Sequence, residues 1–99
     1  MNITVNKNGK ELTVALDGRL DTLTSPDLEE KLDSELDGIE KLIFDFEKLE
    51  YISSAGLRVL AGAMDIMDEQ GGEMVVKNVC SDVLEVFEVT GFIEDLTIE

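Results

Sequence analysis

The sequence has no histidine and no tryptophan, and Cys80 is its only cysteine. Without histidine, neither a Ser-His-Asp nor a Cys-His catalytic arrangement can form, and the common zinc and haem ligand sets are also missing. No glycine-rich loop carries the lysine that a nucleotide-hydrolysing phosphate loop needs. We therefore expect a protein that is not an enzyme and that holds no cofactor or metal.

Long apolar runs are missing as well. No stretch approaches the ~20 apolar residues of a membrane-spanning helix, and the first residues lack the apolar core of a signal peptide. A single cysteine cannot form an intramolecular disulfide, which fits a reducing compartment. We expect a cytoplasmic protein with no membrane insertion.

Basic residues are scarce: 8 lysines and arginines stand against 23 acids, which gives a formal net charge of −15 at pH 7. Nucleic acids and anionic lipids are bound mainly by lysine and arginine. We therefore expect no direct nucleic-acid binding. The negative charge serves either solubility alone or a partner that offers a basic face.

Apolar residues alternate in the first part of the chain, which predicts a β-hairpin. Asn8-Gly9 predicts its turn, of type I′, with positive φ at both residues. Residues 42–46 form a nearly continuous apolar run, which predicts a strand over residues 41–46 that lies well inside a sheet. A loop is expected over residues 47–52.

Three segments have helical periodicity. The first begins at Thr24-Ser25-Pro26-Asp27, with a hydroxyl cap and a proline in the first turn, and stops at Gly38. The second runs from about Ser54 to Glu69, and the third is capped by Ser81. The side chains expected to face the core from the second helix are Leu57, Leu60, Ala61, Met64 and Met67.

The predicted order is β-β-α-β-α-β-α-β, without repeats or a linker. A hairpin followed by right-handed βαβ crossovers gives a mixed β-sheet. We expect one α/β domain over residues 1–99, with three to four helices packed mainly on one side of the sheet.

Two serines, Ser53 and Ser54, stand where the second helix begins. Serine is a preferred N-cap residue, so both can serve the helix alone. A helix N-terminus also favours negative charge, so one of the two hydroxyls could instead carry a phosphate. The residues alone leave both interpretations open.

The run Ser53-Ser54-Ala55-Gly56-Leu57, after a strand and opening a helix, resembles the phosphorylation loop of STAS domains. Gly18-Arg19-Leu20-Asp21 and the order of elements over nearly the whole chain extend the resemblance. It implies the mixed-sheet fold expected above. Standalone STAS domains of this size are typically bacterial anti-sigma-factor antagonists.

The resemblance implies a phosphorylation-switched binding module. An anti-sigma factor serine kinase would bind the unphosphorylated protein and release its sigma factor, and a serine phosphatase would reset the switch. Ser54 matches the phosphoacceptor, with Ser53 as its rival. The sequence differs from many members at Ser53, Ala55 and Arg58, where Asp, Ser and Gly are common. The residues implied in partner binding are Asp21, Thr22, Ser53, Ser54, Ala55, Gly56 and Arg58.

Two alternatives remain. The chain could be a STAS accessory subunit of a lipid-transport ATPase or of a stress-signalling assembly, in which the serines only cap the helix. It could also be a receiver-type domain in which Asp45 accepts phosphate and Asp17 and Asp21 help to hold Mg²⁺. The second alternative lacks the acidic pair that such domains have after the first strand.

Overall fold

The computed structural model describes all 99 residues and contains one five-stranded sheet. The elements are β1 (Asn2–Asn8), β2 (Glu11–Leu20), α1 (Ser25–Glu35), β3 (Lys41–Ile52), α2 (Ser54–Glu69), β4 (Glu73–Lys77), α3 (Ser81–Val89), a 3-10 helix (Phe92–Glu94) and β5 (Thr97–Ile98). The predicted element order is confirmed. Three α-helices and one 3-10 turn stand where three to four helices were expected.

The strands lie in sequence order, with β1 antiparallel to β2 and all other neighbours parallel. Each of the three crossovers therefore moves one strand further in the same direction. Because such crossovers are right-handed, all three helices lie on one face of the sheet. One core cluster joins apolar residues of α1, α2 and α3 to those of the strands, so the predicted mixed sheet covered on one side is confirmed.

Strand β3 is longer than predicted, because residues 47–52 continue the strand. The pairing with β2 shifts twice along this stretch. As a result the buried residues Phe46, Leu49 and Ile52 are three apart, where a regular strand would bury every second residue. The bulges interrupt the alternation of buried and exposed residues on which the prediction of strands relied. They also carry the strand on to the edge where α2 begins.

The hairpin is confirmed, but its turn differs from the prediction. Asn8 pairs with Glu11, so Gly9 and Lys10 form the turn. Only Gly9, at φ 63°, has a positive φ. Glycine at the first central position is typical of a type II′ turn, so the predicted type I′ geometry is wrong.

Two predicted hydroxyl caps are also wrong. The Thr24 hydroxyl makes no bond to α1 and donates to the Arg19 carbonyl at 2.8 Å. The N-cap of α3 is Cys80, and Ser81 is the first helical residue. A hydroxyl can reach several backbone groups, and the surrounding fold decides which one it meets.

The buried face of α2 is rotated from the one predicted. Leu60 and Met67 are buried as expected, whereas Leu57, Ala61 and Met64 are only half-buried. The fully buried positions of α2 are Gly56, Val59, Leu60, Ala63 and Met67. The glycine explains the rotation, because its missing side chain lets the start of the helix approach the sheet closely.

Candidate functional site

The candidate site lies where β2 and β3 end side by side. Leu20 pairs with Ile52 in the parallel register, and the Ser53 N–H donates to the Leu20 carbonyl at 2.9 Å. This bond joins the connection from β2 to α1 to the connection from β3 to α2. The fold thus brings Asp21 and Thr22 to the same edge as the serine pair.

The two serines have different environments. Ser53 is the N-cap of α2, with extended backbone, and its half-buried hydroxyl accepts from the Gly56 N–H at 3.4 Å. Ser54 is the first helical residue; its side chain is exposed and makes no hydrogen bond within the protein. One serine therefore serves the helix, and the other offers a free hydroxyl to solvent.

Gly56 allows α2 to begin so close to the sheet. A Cβ at this position would lie 2.8 Å from Leu20 Cγ and 2.8 Å from Ile52 Cγ1. Both neighbours are fully buried, so neither has space to move away. Gly56 acts by packing, and it fixes the place of the serine pair on the edge.

The connection from β2 to α1 is held by the Asp21 carboxylate. Its Oδ1 accepts from the N–H groups of Leu23 at 3.0 Å and Thr24 at 3.1 Å, which is an Asx turn. The Thr24 N–H is the main reason that the pKa of Asp21 lies below its usual value; partial burial opposes it, and Leu23, the Thr24 hydroxyl and Arg19 lower the pKa further. Asp21 is therefore a charged group that gives this loop a fixed shape.

A shallow groove runs between the starts of α1 and α2. Thr22 and Pro26 line one wall, and Ala55 and Arg58 line the other. Thr22 and Arg58 are both exposed. With Asp21 and the serine pair, six of the seven residues that the resemblance implied in partner binding lie at this edge, whereas Gly56 is buried beneath it.

Three further residues beside this edge, Arg19, Leu23 and Tyr51, are not among the predicted partner-binding residues. The Arg19 guanidinium lies 4.2 Å from the centre of the Tyr51 ring, and the two residues are register partners in β2 and β3. Leu23, at the tip of the Asx turn, is 86% exposed. The Arg19–Tyr51 contact becomes visible only once β3 is known to continue past Phe46. An apolar residue between two threonines in a loop was the available signal for Leu23.

The three aspartates of the receiver alternative are not gathered into a group that could hold a metal ion. Asp45 lies within β3, where its Oδ1 accepts from the Glu47 N–H at 3.1 Å and the Asn78 side-chain amide at 3.0 Å. Asp45 thus stabilises the bulged part of β3 and links it to the residue that follows β4. Cys80 is a free, half-buried thiol whose Sγ lies 3.5 Å from the Leu49 carbonyl oxygen.

None of the helices combines the length and the apolar character that crossing a bilayer requires.

A mixed five-stranded sheet with three helices on one face defines a small α/β domain. The sequence profile of the STAS domain matches residues 2–99, and the chain belongs to the STAS domain family. BtrV of Bordetella bronchiseptica, provisionally described as an anti-sigma factor antagonist, is 34% identical over 94 residues, which are 94% of this chain and 81% of BtrV.

Solved structures of the anti-sigma factor antagonist SpoIIAA share the fold. The unphosphorylated form aligns with a TM-score of 0.80 at 17% identity, and the alignment covers 99% of this chain and 87% of the SpoIIAA chain. The phosphorylated form, from Bacillus, aligns with a TM-score of 0.78 at 18% identity, and the alignment covers 99% of this chain and 91% of the SpoIIAA chain. At these identities the likeness concerns the fold alone.

Proposed function

We propose that the protein is an anti-sigma-factor antagonist, a binding module whose partner affinity is set by phosphorylation of Ser54. The observation that carries the proposal is the contrast between the two serines. Ser53 is occupied as the cap of α2, whereas the Ser54 hydroxyl is exposed and unbonded beside the Asp21 loop. An enzyme can reach Ser54 without opening the core.

The relatives support the same role. BtrV and SpoIIAA both carry the name anti-sigma factor antagonist, and the SpoIIAA structures include an unphosphorylated and a phosphorylated form. Such proteins are regulatory partners rather than enzymes. We assign this chain the same place, in the cytoplasm beside the transcription machinery.

In its unmodified form the protein binds an anti-sigma factor with serine-kinase activity and displaces the sigma factor that the partner holds. Binding uses the surface around Asp21, Thr22 and Ser54, together with Ala55 and Arg58. The loop is already rigid because of its internal hydrogen bonds, so little conformational entropy is lost on docking.

The kinase contributes ATP, Mg²⁺ and the catalytic base. The Ser54 oxygen attacks the γ-phosphorus, the bond to the β-phosphate oxygen breaks to leave ADP, and the hydroxyl proton passes to the base of the kinase. The phosphate adds about −1.5 to −2 charges to the binding surface. A loss of about 3 kcal/mol in complementarity weakens binding on the order of 100-fold. A serine phosphatase hydrolyses the phosphate and restores binding.

The test is to incubate the protein with its kinase and ATP and to map the modified residue by mass spectrometry. Wild type and Ser53→Ala should be modified at Ser54, and Ser54→Ala should remain unmodified. Modification that moves to Ser53, or none at either serine, would contradict the proposal. If Ser54→Asp and Ser54→Ala bind the partner with equal affinity, the accessory-subunit alternative is favoured.

A further inference from the structure

Arg58 has no partner within the protein. It is one of two arginines in a chain with 23 acids, and its side chain is exposed. The ion pairs join Lys10 to Glu40, Lys41 to Glu73 and Lys77 to Glu99. Glu29 lines the same groove but makes no ion pair with Arg58. A guanidinium is therefore held, unpaired, on the surface that contains Ser54.

Arg58 also stands four residues after Ser54 on the same helix. Side chains at i and i+4 are neighbours on a helix surface, and a helical side chain leans toward the N-terminus. The spacing therefore places the Arg58 guanidinium within reach of a phosphate on Ser54. An acidic group placed four residues before a basic one is also the more favourable order of such a pair.

We propose that Arg58 captures the phosphate on Ser54 within the same chain, so that the phosphorylated helix start carries an internal phosphate–guanidinium pair. The inference rests on the proposed phosphorylation of Ser54. A guanidinium binds phosphate through two parallel N–H···O bonds and stays charged at all accessible pH values. The pair cancels part of the new negative charge, holds the phosphate against α2, and engages an arginine that the unmodified protein presents to its partner.

The capture has a direct spectroscopic signature. A neighbouring positive charge favours the doubly ionised phosphate, so Arg58 should lower the second pKa of the phosphoserine. An exposed helix pair of this kind corresponds to a shift of about 0.15 to 0.4 pH unit. The other charged groups placed near this edge are Arg19 and Asp21, at the end of β2, and Glu29, which lines the same groove as Arg58. They are unchanged in the variants proposed below, so their effect cancels in the comparison.

The experiment installs phosphoserine at position 54 during translation, which needs no kinase, and follows the phosphate by ³¹P NMR from pH 4 to 8. Wild type should titrate about 0.15 to 0.4 pH unit below Arg58→Gln. Arg58→Lys should retain part of the shift, because it keeps the charge and loses the planar fork. Lys31→Gln, which removes an exposed charge from α1, should titrate as wild type does.

Equal titration of wild type and Arg58→Gln would overturn the capture. A shift of the same size in Lys31→Gln would also overturn it, because the effect would then reflect net charge alone. The result is independent of the proposed function: if the kinase leaves Ser54 unmodified, the phosphorylation proposal fails while the NMR titration still reports whether the pair forms.

Discussion

The Ser53 N–H donates a 2.9 Å hydrogen bond to the Leu20 carbonyl, and this bond joins the two connections that form the candidate site. Leu20 is the last residue of β2 and Ser53 directly follows β3, and these two strands are neighbours in the sheet. The free hydroxyl of Ser54 and the rigid loop of Asp21 are therefore held on one scaffold. A partner that contacts one of them lies within reach of the other, so the proposed phosphate on Ser54 would act on the proposed binding surface.

Gly56→Ala should destabilise the protein by about 1–3 kcal/mol, because the added methyl overlaps two buried side chains. The matched control lies in the same helix. A Cβ at Gly62 would have no neighbouring atom within 4 Å, so Gly62→Ala should stabilise by up to ~1 kcal/mol through helix propensity. Urea denaturation measures both. Two variants that shift in the same direction would show that close packing at Gly56 does not determine the outcome.

Gln70→Ala should destabilise the protein by about 1–2 kcal/mol. The Gln70 side-chain amide donates to the carbonyls of Leu36 at 3.0 Å and Ile39 at 2.9 Å, and so fastens the end of α2 to the end of α1. Glu69→Ala is the control, since Glu69 is exposed and its side chain makes no hydrogen bond. Thermal and urea unfolding should separate the two variants; equal stability would mean that the bridge contributes nothing.

Asp21→Asn should remove part of the pH dependence of stability. The pKa of Asp21 is lower in the folded protein, mainly through the Thr24 N–H. The charge on Asp21 therefore adds stability at pH values above the pKa of an unfolded Asp, which is about 3.9. This stability is lost as the pH falls through the lower pKa of Asp21 in the folded protein. Wild type should be the more stable protein at pH 7, and the difference should close in acid. A gap that is constant between pH 7 and pH 2.5 would contradict the assignment.

Leu23→Ala should weaken binding of the anti-sigma factor about five- to tenfold and leave stability within ~0.5 kcal/mol of wild type. The side chain is 86% exposed, so the folded protein loses almost no packing. Val89→Ala is the control, because Val89 is 76% exposed at the far end of α3. Calorimetric titration should show a loss for Leu23→Ala only; equal affinities for both variants would remove Leu23 from the interface.

Regular periodicity was sufficient to predict much of the fold. Leu28, Leu32 and Leu36 have helical spacing and are all buried in the core. Residues 47–52 could not be assigned from alternation, because the bulges in β3 change the spacing of its buried residues. The partners of Thr24 and Ser81 depended on three-dimensional neighbours, which a sequence pattern does not contain.

The candidate site divides in the same way. The motif was sufficient to name Asp21 and the serine pair as candidates, and the parallel neighbouring strands bring Asp21 and Ser54 to one edge. The motif did not indicate as candidates Arg19, Leu23 or Tyr51. The sequence could not distinguish Ser53 from Ser54, because both are small hydroxyls at a helix start. Only the position of the Ser53 oxygen, facing the Gly56 N–H, separates the capping serine from the exposed one.

The most direct test compares two proteins that differ only at position 54, one with serine and one with phosphoserine. The affinity of each protein is measured for the anti-sigma factor that binds the Ser54→Ala variant. The account predicts binding on the order of 100-fold weaker for the phosphorylated protein. Equal affinities would contradict it, because the charge on Ser54 would then not control the partner.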